Sequence, residues 1–327
     1  MAELRYNPLL DDWTMVAASR QNRPNMPKDF CPFCPGSGKV PANYDVHLYH
    51  NDFPVLSENP PTPDDVGGGP YKVRESRGRC EVILYSPDHN ATIPDLSLEH
   101  LEKLIDLWTT SYKELALNTE HQYVMIFENR GAEVGVTMPH PHGQIYAYPF
   151  IPLKVRVEME NAQKHFQTTG NNLFQEIIKE EVNFQKRLIW ENEHFLVFIP
   201  FFTDYPFGIM ILPKRKVMSL LELTNAERSS LALCLKELVG GMDKLYNRLF
   251  PYMMVMHPAP YHNKEAEGFY WFHIEFYPPL RGADRIKYNA SSETGGWAAA
   301  NPTKVEDNAE LLRQAIARFK KEGVKNG

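Results

Sequence analysis

A chain of 327 residues exceeds what one hydrophobic core usually organises, so a large two-lobed domain or two fused units of one kind is expected. Hydrophobic residues make up 43% and charged residues 23%, the balance of a soluble globular protein, and no apolar run is long enough to span a bilayer. The net charge of −6, with no long Lys/Arg block, argues against nucleic acid as the main partner but leaves room for a small anion held by local arginines.

The first residues, MAELRYNPLLDDW, lack the basic-then-apolar pattern of a secretory signal, which favours a cytoplasmic location. Arg20 and Arg23 follow in SRQNRP. Paired arginines commonly decorate surfaces, yet two guanidinium groups also suit a phosphate-bearing substrate. Next comes CPFC, where Cys31 and Cys34 can grip one metal ion as in a zinc knuckle or form a redox pair. The chain has only four cysteines and no second C-x-x-C, so a metal would need histidines or carboxylates to complete its shell. His89, in SPDHN after an apolar run, and His140 are the candidates. The stretch PVLSENPPTPDDVGGGP (54–70) is a loop by composition.

From residue 80 the chain states one pattern twice. CEVILYSP reads as a β-run ending at Pro87, followed by a helix with Leu101, Leu104, Ile105 and Trp108 on one face. FGIMILP likewise ends at Pro213, and its helix opens with the capping box Thr224-x-x-Glu227 and runs through Leu231, Leu235 and Leu238. Each helix precedes an apolar strand, YVMIFENRG (123–131) and YMMVMHPAP (252–260), and then a histidine-bearing strand, PHPHGQIYAYP and FHIEFYPP. The offsets are 126 for Pro87 to Pro213, 129 for Tyr123 to Tyr252 and 133 for His140 to His273, close enough to indicate a duplication. The expected architecture is α+β, antiparallel or mixed sheets with helices packed on one face. A polar helix broken near Thr168–Asn171 connects the halves over 155–187, and 303–322 is an amphipathic helix with Leu311, Leu312, Ala315, Ile316 and Phe319 inward.

Within PHPHGQ, alternation along an extended segment sends His140 and His142 to the same side, and Pro141 stiffens the link between them. Imidazole serves as metal ligand or as nucleophile, and both readings stay open on these residues alone. A histidine nucleophile suits phosphoryl or nucleotidyl transfer, with Gln144 offering amide donors to the phosphate and Gly143 leaving room for a close ligand. In the second half His273-Ile-Glu275 stands where His140-Pro-His142 stands, and with Glu158 and His257 it makes a mixed N/O metal set or a buried ion-pair cluster. Lys287 and Glu293 stand six apart in a Gly/Ser-rich loop that a sugar phosphate could use.

These segments together resemble the galactose-1-phosphate uridylyltransferase family of the histidine triad superfamily. The ordered series NPLLDDW, SRQNRP, CPFCPG, HNDFP, SPDHNATIPDLS, FENRGAEVG, PHPHGQIYA, PFGIMILP and WFHIEFYPPLR carries the likeness over nearly the whole chain. The resemblance implies two histidine-triad units, 1–152 with the nucleophile and 153–327 with the sugar-binding loop. It implies that His142 attacks the α-phosphorus of UDP-glucose and that the uridylyl group then passes to galactose 1-phosphate. Gln144, Asn129 and Thr137 would hold phosphate, while Tyr49, Asn51 and Asp52 would receive the nucleoside. Arg20 and Arg23 would bind phosphate, in this family across a homodimer interface, and Lys287, Tyr288 and Glu293 would bind the hexose.

Zinc would take Cys31, Cys34, His89 and His140, and a second metal, iron or zinc, would take Glu158, His257 and His273. The fourth position of that second set is Glu275 here, where the family has histidine. Val136, Thr137 and Met138 also depart from the family's cysteine, serine and asparagine. Rival readings are an ADP-sugar nucleotidyltransferase or phosphorylase, a hydrolase of the same superfamily, and a zinc-ribbon module that binds nucleic acid. Neither nucleic acid nor membrane is expected as a partner.

Overall fold

The structure, a computed structural model, describes residues 2–18 and 30–325. β1 (Ala2–Asn7) and β2 (Asp12–Ala17) form an antiparallel hairpin, turned through Asp11 at φ +51°. β3 (His47–His50) lies at one edge of the main sheet, whereas β4 (Val73–Glu75) returns to pair with β1. The main sheet continues with β5 (Arg79–Leu84), β6 (Tyr123–Arg130), β7 (His142–Tyr148), β8 (Leu188–Glu191), β9 (Phe195–Phe198), β10 (Ile209–Pro213), β11 (Tyr252–His257) and β12 (His273–Tyr277). Its nine strands run in the order β3-β5-β7-β6-β11-β12-β10-β9-β8, and every neighbouring pair is antiparallel. The two halves therefore share one sheet, joined where β6 pairs with β11, and the order β5-β7-β6 is mirrored by β10-β12-β11.

The helices are α1 (Leu98–Ala116), α2 (Leu153–Thr169), α3 (Leu173–Phe184), α4 (Asn225–Tyr246), α5 (Ser291–Gly296) and α6 (Val305–Lys325), with a small hairpin of β13 (Leu280–Gly282) and β14 (Arg285–Ile286) between β12 and α5. Alternation along the strands divides the core. On β10, Ile209 and Ile211 turn to the face covered by α1, α4 and α6, while Met210 and Leu212 turn to the face covered by α2, α3 and the β1 hairpin. Helices thus pack on both faces, whereas the sequence suggests one, because the connecting helices fold back with Val155, Met159, Ala162 and Phe174 buried under the sheet.

Local signals set the helix ends. Ser97 caps α1 by accepting from His100 N at 3.1 Å, and Thr224 and Glu227 close the capping box of α4. Gly170, left-handed at φ +75°, stops α2 where the break was expected. Gly240 and Gly241 in α4 look costly for a helix, at about 1 kcal/mol each relative to alanine. They let α6 approach, since an added Cβ would lie 2.4 Å from the Phe319 ring and 2.3 Å from the Ile316 side chain. One expectation on α6 fails: Leu311 is exposed, while Leu312, Ala315 and Ile316 are buried.

Candidate active site and metal centre

The loop between β6 and β7 brings the sequence motif to the sheet. His140 precedes β7, is fully buried, and turns its Nδ1 to the thiols of Cys31 and Cys34, at 3.7 Å from each Sγ. His89 Nδ1 lies 3.5 Å from Cys34 Sγ, and one donor atom from each of the four residues fits within 4.8 Å of the others. Tetrahedral zinc with ordinary Zn–S and Zn–N lengths separates its sulfur and nitrogen ligands by about 3.5 Å, so the donor set fits that ion. The ring is oriented from behind: His140 Nε2 donates to Ser86 O at 2.8 Å, beside the hydroxyl of Tyr44 at 3.1 Å. Burial pushes His140 down to about 4, outweighing the Ser86 carbonyl, so the imidazole is neutral as a metal ligand must be. Burial and then the neighbouring Cys31 push the Cys34 thiol up to about 11, a barrier that a bound cation would remove.

His142 opens β7. Its Nδ1 donates to the His140 carbonyl at 2.8 Å, which fixes the tautomer and leaves the lone pair on Nε2. Both histidine rings lie 5.9 Å from the ring of Phe33, so the CPFC turn packs against His140 and His142 alike. Gly143 serves a purpose other than the one its position suggests. A Cβ there would meet the Tyr85 hydroxyl at 2.3 Å, on the face covered by α1, α4 and α6, so the missing side chain admits Tyr85 rather than a ligand. Gln144 points to the same side as His142 and accepts from Tyr146 OH through its carbonyl oxygen at 3.1 Å, which aims its amide N–H groups elsewhere.

A cavity of about 200 Å³ holds His142 and Gln144 together with Asn51, Asn129, Thr137 and Met138. A larger one of about 400 Å³ lies beside it and is also lined by Asn129, Thr137, His140 and His142, with the buried Glu128 at its wall. Burial pushes the Glu128 carboxyl up to about 7. Tyr49 and Asp52 bind each other, hydroxyl to carboxylate, at 2.8 Å, with the Tyr49 ring 5.1 Å from Phe33. Burial, then Asp52, pushes Tyr49 up to about 12, so it stays a donor. Met138 is buried with Phe33, Tyr49, Val82 and Leu84, so the residue that replaces an amide here works as an apolar wall.

Other expected site residues stand elsewhere. Lys287, Tyr288 and Glu293 line neither cavity: Lys287 is buried against Asn289 Oδ1 at 3.0 Å and lies 3.9 Å from Glu293, while Tyr288 is exposed. Arg20 and Arg23 lie outside the described residues.

The second cluster forms across α2, β11 and β12. His257 Nδ1 lies 2.9 Å from Glu158, His273 Nε2 lies 3.8 Å from both Glu158 and Glu275, and the two imidazoles stack at 4.7 Å. Glu158, His257 and His273 form a compact donor group, which Glu275 does not join. Lys154, which the sequence reading missed, lies at its mouth with Nζ 2.5 Å from Glu275. The one signal for it was its i,i+4 spacing to Glu158. Tyr44, the partner behind His140, carries no signal at all, since it is 96 residues away in sequence.

The sequence profile described as galactose-1-phosphate uridyl transferase, N-terminal domain, matches residues 1–152, and that of the C-terminal domain matches 158–289. The galactose-1-phosphate uridylyltransferase of Thermotoga maritima is 41% identical over 315 residues, covering 96% of this chain and 98% of its own. That of Haemophilus influenzae is 33% identical, with 98% and 96% covered. Among solved structures, a uridylyltransferase superposes with a TM-score of 0.89 at 31% identity over 97% of this chain and 99% of its own. An ADP-glucose phosphorylase from Arabidopsis thaliana shares the fold at a TM-score of 0.74 and 24% identity, with 96% and 99% covered.

Proposed function

The chain belongs to the galactose-1-phosphate uridylyltransferase family, and on that premise we propose how its own residues carry out the transfer. It is a UDP-glucose–hexose-1-phosphate uridylyltransferase of galactose metabolism, taking a sugar nucleotide and a sugar phosphate as substrates. UDP-glucose and galactose 1-phosphate are the proposed pair. The observation that carries the mechanism is the His142 Nδ1 bond to the His140 carbonyl, which commits Nε2 to attack.

In the first half-reaction the Nε2 lone pair forms an N–P bond to the α-phosphorus. The bond from that phosphorus to the bridging oxygen breaks, and glucose 1-phosphate leaves with the electron pair. No proton has to move, because Nδ1 keeps its hydrogen on the His140 carbonyl throughout. The positive imidazole of the uridylyl-histidine is steadied by that carbonyl, and a phosphate oxygen of galactose 1-phosphate then reverses the displacement. We assign Gln144, Asn129 and Thr137, which share the cavity with His142, to donate to the non-bridging oxygens, and Asn51 with the hydrogen-bonded pair Tyr49 and Asp52 to receive the nucleoside.

The thiols of Cys31 and Cys34 with the imidazoles of His89 and His140 would hold zinc, and the observed spacings support this. A zinc ion closed by four protein ligands supplies rigidity rather than an activated water. Its effect would reach the chemistry through His140, whose carbonyl aligns the nucleophile.

The mirrored strand order supports two units, 1–152 and 153–327, as halves of a duplication. Because Lys287, Tyr288 and Glu293 line neither cavity beside His142, we assign them to the site of a second subunit in a homodimer, with Arg20 and Arg23 acting likewise. Four cysteines without a disulfide suit a reducing compartment, hence the cytoplasm, and among the described residues no helix is long and apolar enough to cross a membrane.

Incubation with UDP-glucose radiolabelled at the α-phosphate, without acceptor, tests the intermediate. Acid-labile label should appear on the protein, vanish on addition of galactose 1-phosphate and be absent from His142→Gly. Label that persists in that variant, or turnover without any labelled protein, would refute the covalent route.

A further inference from the structure

The cluster of Glu158, His257, His273 and Glu275 has a cation of its own. Lys154 Nζ lies 2.5 Å from Glu275 Oε2, 2.5 Å from the Tyr277 hydroxyl and 3.6 Å from Glu158 Oε1, with the Tyr277 ring centroid 4.6 Å away. The Tyr277 hydroxyl donates to the same Glu275 oxygen. Glu275 is thereby committed to an ammonium and a phenol before any ion arrives. Lys154 is also the second residue of α2, at the positive end of the helix dipole, a position unfavourable for a cation unless carboxylates face it. Glu158 on the same helix and Glu275 on β12 supply them.

A divalent ion cannot take the Glu275 oxygen that the lysine and the phenol share, which leaves it only the three donors Glu158, His257 and His273 with an ammonium beside them. An ion bound to the same Glu275 oxygen at an ordinary Zn–O length would sit about 4 Å from the ammonium, with that one shared oxygen between two cations. With Glu158 and Glu275 the set holds two carboxylates, and the ammonium offsets their charge. One atom favours a metal: His257 Nε2 is buried without a hydrogen-bond partner, 3.7 Å from Glu275 Oε2. It marks where an ion would bind once the lysine were gone.

We infer that the second cluster works without a metal ion, the Lys154 ammonium being its resident cation, which ties the first turn of α2 to β12. The protein therefore carries one metal centre per chain, at the thiol pair, and removing the lysine charge opens a second.

Metal content and thermal melting test this on the full-length protein, grown with zinc and iron and dialysed without chelator. Wild type should hold about one equivalent of metal, and Cys34→Ser should lose it, because a closed zinc shell needs all four ligands. Lys154→Met, neutral and of similar length, should gain a second equivalent and a melting temperature that rises on adding Zn²⁺ or Fe²⁺. Lys154→Arg should stay at one and show no such rise. A second equivalent in wild type that survives Cys34→Ser would overturn the inference. So would Lys154→Met that remains at one equivalent with a melting temperature indifferent to metal. If Lys154→Met does not accumulate as folded protein, the wild-type stoichiometry decides alone.

Discussion

The two halves place histidines at the same point of the sheet, one ahead of β7 and the other at the start of β12, and use them differently. In the first half the donors are two thiols and two imidazoles around His140, and the next histidine along the chain faces a cavity. In the second half the donors are imidazoles and carboxylates, Glu275 takes the place of the second histidine, and a lysine closes the cluster. The mirrored strand order thus carries a cavity-facing histidine in one half and a cluster that bridges helix and sheet in the other.

The largest difference should come from removing the nucleophile from one half and the buried histidine at the start of β12 from the other. His142→Gly should lower kcat on the order of 10⁶-fold, as loss of a nucleophile that forms a covalent intermediate does, with the melting temperature nearly unchanged. His273→Gly removes a buried ring stacked on His257 and should lower the melting temperature while kcat per folded molecule stays within a small factor. Steady-state kinetics with calorimetry on both proteins separates the two roles. A His273 variant as inactive as the His142 variant would end the claim that the halves have diverged.

Metal removal ranks next. A structural zinc site contributes on the order of 10 kcal/mol of apparent binding free energy near neutral pH, so stripping the ion should cost several kcal/mol of folding stability. Treatment with a strong chelator should lower the melting temperature and abolish activity together, since the His140 carbonyl that aligns His142 belongs to a ligand residue. Re-addition of zinc should restore both. Activity that persists while the metal is demonstrably gone would separate the metal centre from the alignment of the nucleophile.

Gln144→Ala should follow, with kcat lower by about 10² to 10³, the usual effect of losing one donor to a developing oxyanion, and little change in stability. The corresponding change on β12, Tyr277→Ala, should leave kcat within a small factor. A large rise in KM at constant kcat for Gln144→Ala would mean that it grips ground state and transition state equally.

Much of this was legible in the sequence where the signal is local. The cap of Thr224 with Glu227, the break at Gly170 and the ligand types at Cys31, Cys34, His89 and His140 depend on residues a few positions apart or on donor chemistry. What was not legible depends on chain segments meeting. Nothing in the alternation of YVMIFENRG says that it pairs with YMMVMHPAP, which is what fuses two units into one sheet. Tyr44 behind His140 and Tyr85 beneath Gly143 are tertiary contacts without periodicity. On α6 burial follows 308–309, 312 and 315–316, and Leu311 falls beside that stripe, so an apolar residue at its edge reads as inward while lying exposed.

The smallest expected effect distinguishes the helices that follow the matching strands. α1 has only the Ser97 cap, whereas α4 adds Glu227, whose carboxylate receives Arg215 at 2.8 Å and the Thr224 backbone N–H at 2.7 Å. Arg215 first, against the opposing cost of burial, and then Thr224 hold Glu227 down to about 2. A carboxyl depressed in the folded state stabilises it above the ordinary carboxylate value, and that contribution fades as pH falls from there toward 2. Glu227→Gln should therefore cost about 2 kcal/mol near pH 7, and the gap to wild type should close on acidification between pH 5 and pH 2. Ser97→Ala in α1 should cost about 1 kcal/mol with no such pH dependence, because a hydroxyl cap does not titrate. Denaturant titrations of both variants across that range read the difference. A Glu227→Gln gap as wide at pH 2.5 as at pH 7 would mean that packing of α4, rather than its acid cap, makes the second-half helix the firmer of the two.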